Sequence, residues 1–494
     1  MIIQLKKALA AGCVLLSLTA CEDKFLDIQS ETSLTTGTFF KTQADFQSAV
    51  NGIYQPLRGL YSNAFVMGEM HSDNTYYIYN PSDRGQFESE NIAEFILLPT
   101  NGISTNKYVT NYRIISRANQ VLSLIDAATF DETARNTLKG EALFLRAMAY
   151  FELVRYFGSV PLHLTPVTDR SQAALPLASP DDVYKQIVAD AQQAATLLPG
   201  KKTQIAGRAT SGAAKTLLGD VYMVQKQYAL AETVLKEVVA SGDYTLLPNY
   251  AAVFDPTSKN NGESVFEVQY QVGSDGYASN FIYQFLPRPI AAATVGTLTG
   301  VSNPQGLLVL EAFNTPTPDL IAAYEPNDRR KEVSIGTAPA TDGTVYPFVK
   351  KYLHPHTQFG LTNDNWPVYR YAEVLLLLAE ALTEQGKTAE AVPLLNQIRT
   401  RAGLAGTTQT SQAGLRDAIA RERRVELAFE NKRWLDLVRT GKAVEVMTAH
   451  GVRIRANPRA YYLPAGVTLL PAAYSTIPLT FPLPASEAQL SAYF

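Results

Sequence analysis

Two stretches far apart in this chain carry the same spacing of small and large residues, and that repetition constrains the fold more than any other feature. In the first, Leu218-Gly219 and Tyr222 are followed by Ala231 and Leu235. In the second, Leu378-Ala379 and Leu382 are followed by Ala391 and Leu395. The small residue lies twelve positions before the alanine in both, and the alanine four before the leucine. Such spacing places a small residue where two helices touch and a large one in the next groove. Lys226-Gln227 and Gln385-Gly386-Lys387 fall where each helical hairpin has to reverse. Two matches in phase predict stacked helix pairs near 210–240 and 370–400.

This is the tetratricopeptide arrangement, and other segments extend it. Apolar residues recur every three or four positions over 44–60 (Phe46, Val50, Ile53, Tyr54, Leu57) and over 108–125 (Tyr112, Ile115, Leu122, Ile125), which predicts helices in both. A third helix is expected over 141–156, stopped by Phe157-Gly158 and Pro161. A fourth is expected over 181–198, opened by Ser179-Pro180 and closed by Pro199-Gly200. Residues 61–107 and 268–365 differ in texture. They are rich in Tyr, Asn, Gly, Pro and Thr, without a sustained period, and are broken by short β-like runs at 264–270 and 345–350. Long irregular insertions usually form functional surfaces.

The N-terminus reads as an export signal. Lys6 and Lys7 precede an apolar run from Ala8 to Leu18, and Leu18-Thr19-Ala20-Cys21 places small residues before a cysteine. The run is shorter than the roughly 20 residues of a membrane span. Cleavage before Cys21 removes Cys13 and leaves a single cysteine, so no intramolecular disulfide is expected. It also leaves 41 basic against 46 acidic side chains. That weakly acidic balance argues against a nucleic-acid partner. Residues 21–38 are polar and Ser/Thr-rich, as a tether is, and 39–494 are expected to form one domain.

The residues give an enzyme little support. There is no Gly-x-Ser-x-Gly, no His-Glu-x-x-His and no phosphate-cradling loop. His354-Pro355-His356 lacks an evident third metal ligand. Glu422 and Glu426 share a helix face, but Arg421, Arg423 and Arg424 beside them point to paired structural carboxylates, and Glu380 reads the same way. A binding role has a physical basis. Sugars offer C–H faces to aromatic rings and a rim of hydroxyls to amides and carboxylates. The richest candidate is the segment 71–80, with Asp73, Asn74, Tyr76, Tyr77 and Tyr79, weighed equally against tyrosines that merely cover the scaffold. Tyr277 and Tyr283 lie in a second aromatic patch, with Tyr270 and Phe285. Trp366 and Trp434 read as core.

Leu18-Thr19-Ala20-Cys21 resembles the lipobox of bacterial lipoproteins, which implies lipidation at Cys21. Glu22-Asp23 resembles a surface-export signal. Several blocks of the mature chain resemble the SusD/RagB family of outer-membrane glycan-binding lipoproteins from Bacteroidetes: Tyr112-Arg113-Ile114-Ile115-Ser116-Arg117-Ala118-Asn119, Leu153-Val154-Arg155-Tyr156-Phe157-Gly158, Arg370-Tyr371-Ala372-Glu373, Arg433-Trp434-Leu435-Asp436-Leu437 and the tail Phe481-Pro482-Leu483-Pro484. The resemblance implies a mainly α, tetratricopeptide-like scaffold with a few short strands and a loop-rich ligand face built from 61–107 and 268–365. It implies a non-catalytic surface protein, lipid-anchored at the outer membrane and facing outside. Such a protein takes a glycan or oligosaccharide and passes it to a SusC-like TonB-dependent transporter. Tyr108 stands where the family often carries a ligand-stacking tryptophan, with Asn111 one turn on. No cofactor is implied. The alternatives are a protein-interaction scaffold or a peptide-binding receptor, and last an extracellular glycoside hydrolase.

Overall fold

The computed structural model describes residues 39–81, 87–304, 311–490 and 493. The leader, Cys21 and the tether lie outside the described residues. Eleven of the helices among the described residues form the scaffold: α1 (Gln43–Tyr61), α2 (Gly102–Leu122), α3 (Glu132–Phe157), α4 (Pro180–Leu197), α5 (Ser211–Val224), α6 (Tyr228–Ala240), α7 (Tyr371–Glu384), α8 (Thr388–Arg401), α9 (Gln412–Glu426), α10 (Arg433–Arg439) and α11 (Ala443–Ala456).

Their starts follow capping chemistry. Thr42 and Asp45 form a reciprocal capping box at α1, and the side chains of Asn101, Asp131, Ser179, Thr210 and Ser411 accept from the first-turn amides of α2, α3, α4, α5 and α9. These caps explain why α2 and α3 begin earlier than apolar periodicity predicts: Asn101 and Asp131 lie ahead of polar first turns that carry no apolar stripe. Helix α3 is buried almost continuously from Leu138 to Phe157 and is packed by α1, α2 and α4. It is the centre of the N-terminal half.

The repeats form as the spacing predicts. Helices α5 and α6 make one hairpin, α7 and α8 a second, and α7 packs on α6. Both hairpins reverse through the same turn. Lys226 (φ 58°) and Gly386 (φ 75°) adopt the left-handed conformation, and the amides of Gln227 and Lys387 reach back to the carbonyls of Tyr222 and Leu382 at 2.8 and 2.9 Å. Gly219 lets the first pair close up: a Cβ there would stand 2.7 Å from Leu235 Cδ2. Ala231, Ala379, Ala391 and Leu395 are fully buried at the matching contacts.

Strand content is small. Ser264–Val268 pairs antiparallel with Trp366–Arg370, which runs directly into α7, and Ile335–Pro339 forms a hairpin with Val345–Val349. Trp366 and Trp434 are fully buried, as core residues.

A buried ion network ties these elements together. Glu426 accepts from Arg330 Nη1 (2.9 Å), Arg370 Nη1 (2.5 Å) and Arg401 Nη2 (2.5 Å). Arg370 also reaches Glu263 and Glu430, and Arg330 reaches Asp328 and Glu422. The structural reading of Glu422 and Glu426 therefore stands, with different partners. The side chains that pair with them come from 330, 370, 399 and 401, not from Arg421, Arg423 or Arg424. Glu380 likewise pairs with Arg439.

Candidate functional site

The irregular insertions are not an open loop face where the candidate tyrosines lie. The segment from His71 to Ile78 is buried throughout. Asp73 is clamped by Arg433 (Nε to Oδ1, 2.7 Å) and Arg424 (Nη2 to Oδ2, 2.8 Å). Burial pushes its carboxyl up, but the two guanidiniums outweigh burial and hold it well below the ordinary range. Asn74 accepts from Arg424 Nε and donates to Glu69, which burial raises to about 7. Tyr76 and Tyr77 stack with centroids 4.4 Å apart, and both hydroxyls donate to Glu94 Oε1. Tyr79 is half-buried against the core.

The other candidates also turn inward, with one exception. Tyr108 packs on Tyr112 and Phe157 inside the helical core. Asn111 is fully buried, its amide donating to Lys107 O. Tyr283 is fully buried, its hydroxyl hydrogen-bonded to His356. Tyr277 is 42% exposed. Asp73, Asn74, Tyr76, Tyr77, Tyr108, Asn111 and Tyr283, expected as ligand-binding residues, are thus corrected to buried positions, while Tyr79 is half-buried. Aromatic bodies gain most from burial when an internal acceptor takes the hydroxyl, and Glu94 provides that acceptor for two of them. The contacts of Tyr76–Tyr77, of Tyr108 and of Tyr283 fall in separate neighbourhoods.

Tyr277 lines a cleft of about 390 Å³ with α1, the 205–208 turn and the end of the Ser264–Val268 strand. Helix α1 buries Phe46, Val50, Ile53, Leu57 and Leu60, which turns Asn51, Gln55 and Arg58 outward on a single stripe. The floor is fixed by hydrogen bonds. Glu141 accepts from Tyr54 Oη (2.7 Å) and Arg208 Nε (3.0 Å), while Arg208 Nη1 donates to Asn51 (2.7 Å). Burial raises the Glu141 carboxyl, and Arg208 and Tyr54 offset part of the rise. Arg117 holds Gln55 Oε1 at 3.2 Å. That orients the Gln55 amide nitrogen, which has no hydrogen-bond partner among the described residues. The Arg58 guanidinium stacks 3.9 Å from the Tyr277 ring centroid. Tyr277 itself is positioned by a bridge to Gln271, whose amide donates to Tyr277 O at 2.8 Å.

An exposed ring, two outward amides and pre-set guanidiniums suit a flat polyhydroxylated ligand. Nothing here is arranged as a nucleophile with its base. Of the residues lining this cleft, sequence reasoning named Tyr277 but not Asn51, Gln55, Arg58, Arg208 or Gln269. The polar stripe at 51, 55 and 58, opposite the apolar one, was the available signal.

Scaffold and cleft together define a helical-repeat protein with a polar, aromatic cleft on its surface. Comparison with known proteins places it further. Residues 334–457 match the model described as "SusD family", and residues 24–223 match one described as "Starch-binding associating with outer membrane". SusD-like protein P2 of Formosa agariphila is 30% identical over 495 aligned positions, covering 91% of this chain and 94% of the relative. The solved "Laminarin binding SusD-like protein" is 28% identical with a TM-score of 0.74, covering 92% and 98%. A SusD homolog from Bacteroides thetaiotaomicron shares the fold at a TM-score of 0.77 and 20% identity, covering 94% and 98%. The chain belongs to the SusD family.

Proposed function

We propose that this chain is a non-catalytic lipoprotein of the outer membrane that captures a glycan and passes it to a TonB-dependent transporter. The cleft at Tyr277 carries the reading, because it joins an exposed aromatic ring to oriented amides at a solvent-facing site. The laminarin-binding relative supports a glycan as ligand, and the second matched model's description supports the outer membrane. Among the described residues no helix is long and apolar enough to cross a membrane. Attachment then falls to acyl chains on Cys21, and several chains on one residue anchor stably where one does not.

Calorimetry of the purified protein against laminarihexaose and other neutral oligosaccharides tests the binding claim. Tyr277→Ala removes one stacking platform, worth about 1 kcal/mol or roughly fivefold in affinity. The melting temperature should fall by about 1 °C at most, because the ring is 42% exposed and its stacking contact with Arg58 is a surface one. Retained affinity in Tyr277→Ala would move the glycan elsewhere. Binding of peptides but not glycans would favour the peptide-receptor alternative, and release of shortened sugars would overturn the non-catalytic claim.

A further inference from the structure

A second cleft, of about 310 Å³, opens between α9, α10 and the start of α11. Seven of its fourteen lining residues are Arg or Lys, and three are acidic. Four of the cations are held in place by carboxylates. Asp436 holds Arg423 (Nε, 2.9 Å) and Arg439 (Nε, 2.8 Å), while Asp73 holds Arg424 and Arg433. Two groups are left over. Arg421 is exposed and makes no hydrogen bond or ion pair among the described residues. Arg423 is 3% exposed, and its Nη1 is buried without a hydrogen-bond partner among them. A buried guanidinium nitrogen with no acceptor is costly, and Arg423 lines the cleft wall, so an anion in the cleft would offset its uncompensated charge. Leu437 and Val446 give the same cleft an apolar wall.

We propose that this cleft binds the carboxylate or sulfate ester of an acidic oligosaccharide, with Arg421 contacting the anion and Arg423 adding positive charge from the wall behind it. The inference rests on the glycan reading for the kind of molecule that bears the anion, but it uses a different site. The cleft's volume sits at the low end of small-ligand pockets, and it is concave, where a protein partner would need a broad surface of about 800 Å². Arg421 keeps its forked donors free for a planar or tetrahedral oxyanion, and the neighbouring arginines, held by Asp436 and Asp73, add positive charge without losing freedom on binding.

The test is calorimetry with trigalacturonate, laminarihexaose, inorganic sulfate and an Asp-rich decapeptide, on wild type and on Arg421→Glu, Arg421→Lys and Tyr277→Ala. Trigalacturonate is expected to bind wild type and to weaken with added salt. Its affinity should fall roughly tenfold or more in Arg421→Glu, with substantial recovery in Arg421→Lys. Both Arg421 variants should melt with wild type, since Arg421 is exposed and makes no ion pair among the described residues. Laminarihexaose reports on the Tyr277 cleft separately, losing affinity in Tyr277→Ala and not in Arg421→Glu, so failure of either reading is visible alone. Trigalacturonate affinity unchanged by Arg421→Glu overturns the proposal. So does binding of sulfate alone, an adventitious ion only, or capture of the acidic peptide in place of the oligosaccharide.

Discussion

Glu426→Gln is the most direct test of how this scaffold is held. The carboxylate is fully buried and takes hydrogen bonds from three arginines that arrive from separate parts of the chain. Glutamine keeps the shape and removes the charge, leaving Arg330, Arg370 and Arg401 with an amide oxygen in a dry site. Breaking a buried pair this way costs roughly 3–5 kcal/mol. At about 2 cal/mol/K per residue, a chain of this size unfolds with an entropy near 1 kcal/mol/K, so the melting temperature should drop by roughly 3–5 °C. Differential scanning calorimetry at pH 7 measures it. The pH dependence supplies a second check. The three guanidiniums outweigh burial and hold the Glu426 carboxyl far below its unfolded value. A depressed carboxyl contributes stability in full above its unfolded pKa of about 4.3, and loses it as pH falls from there toward the folded value. The gap between wild type and Glu426→Gln should therefore narrow below about pH 4. A shift under 1 °C at pH 7, or a gap that widens on acidification, would refute the view that this charge is structural. The exposed pair Lys442–Glu445 is the control, and Glu445→Gln should leave the melting temperature unmoved.

Two further outcomes follow from the repeats and the leader. Gly219→Val places branched carbon against Leu235 where a single Cβ would already stand at 2.7 Å, so overpacking should cost roughly 1–3 kcal/mol, read as a lower denaturation midpoint; an unchanged midpoint would mean that the α5–α6 contact is loose. Cys21→Ala should move the protein from the membrane fraction to the soluble one in cells lacking the transporter, and continued membrane partitioning would remove Cys21 as the anchor.

What the sequence made legible was whatever is encoded locally. The small–large spacing at Gly219, Ala231 and Leu235 is a contact between neighbouring helices, and the Ser179-Pro180 start is a cap within one turn. The ligand face was not legible, because burial of a tyrosine is decided by partners far along the chain. Asp73 and Asn74 look like sugar-binding groups until Arg424 and Arg433 arrive from about 350 positions away. Tyr76 and Tyr77 look like a stacking surface until Glu94 takes both hydroxyls. The carboxylates on α9 were misassigned to adjacent arginines because proximity in sequence is not proximity on a helix. Residues one and two apart face different directions, and only those three or four apart share a side.

That geometry gives α9 two separate tasks. Leu415, Ile419, Glu422 and Glu426 share the face turned into the protein, where the two carboxylates meet Arg330, Arg370 and Arg401. Arg416, Asp417, Arg421 and Arg424 lie off that face, and together with the buried Arg423 they line the basic cleft. The helix is thus rich in both signs of charge without neutralising itself, because its acids and bases serve different neighbours. Charge removal on the two faces should separate cleanly. Glu426→Gln is expected to lower the melting temperature with the cleft's cations still in place, whereas Arg421→Glu is expected to weaken anion binding roughly tenfold or more at an unchanged melting temperature. If both substitutions instead moved the same observable, the cleft and the buried network would be one cooperative unit, and the arginines facing solvent would be part of the scaffold's own charge balance.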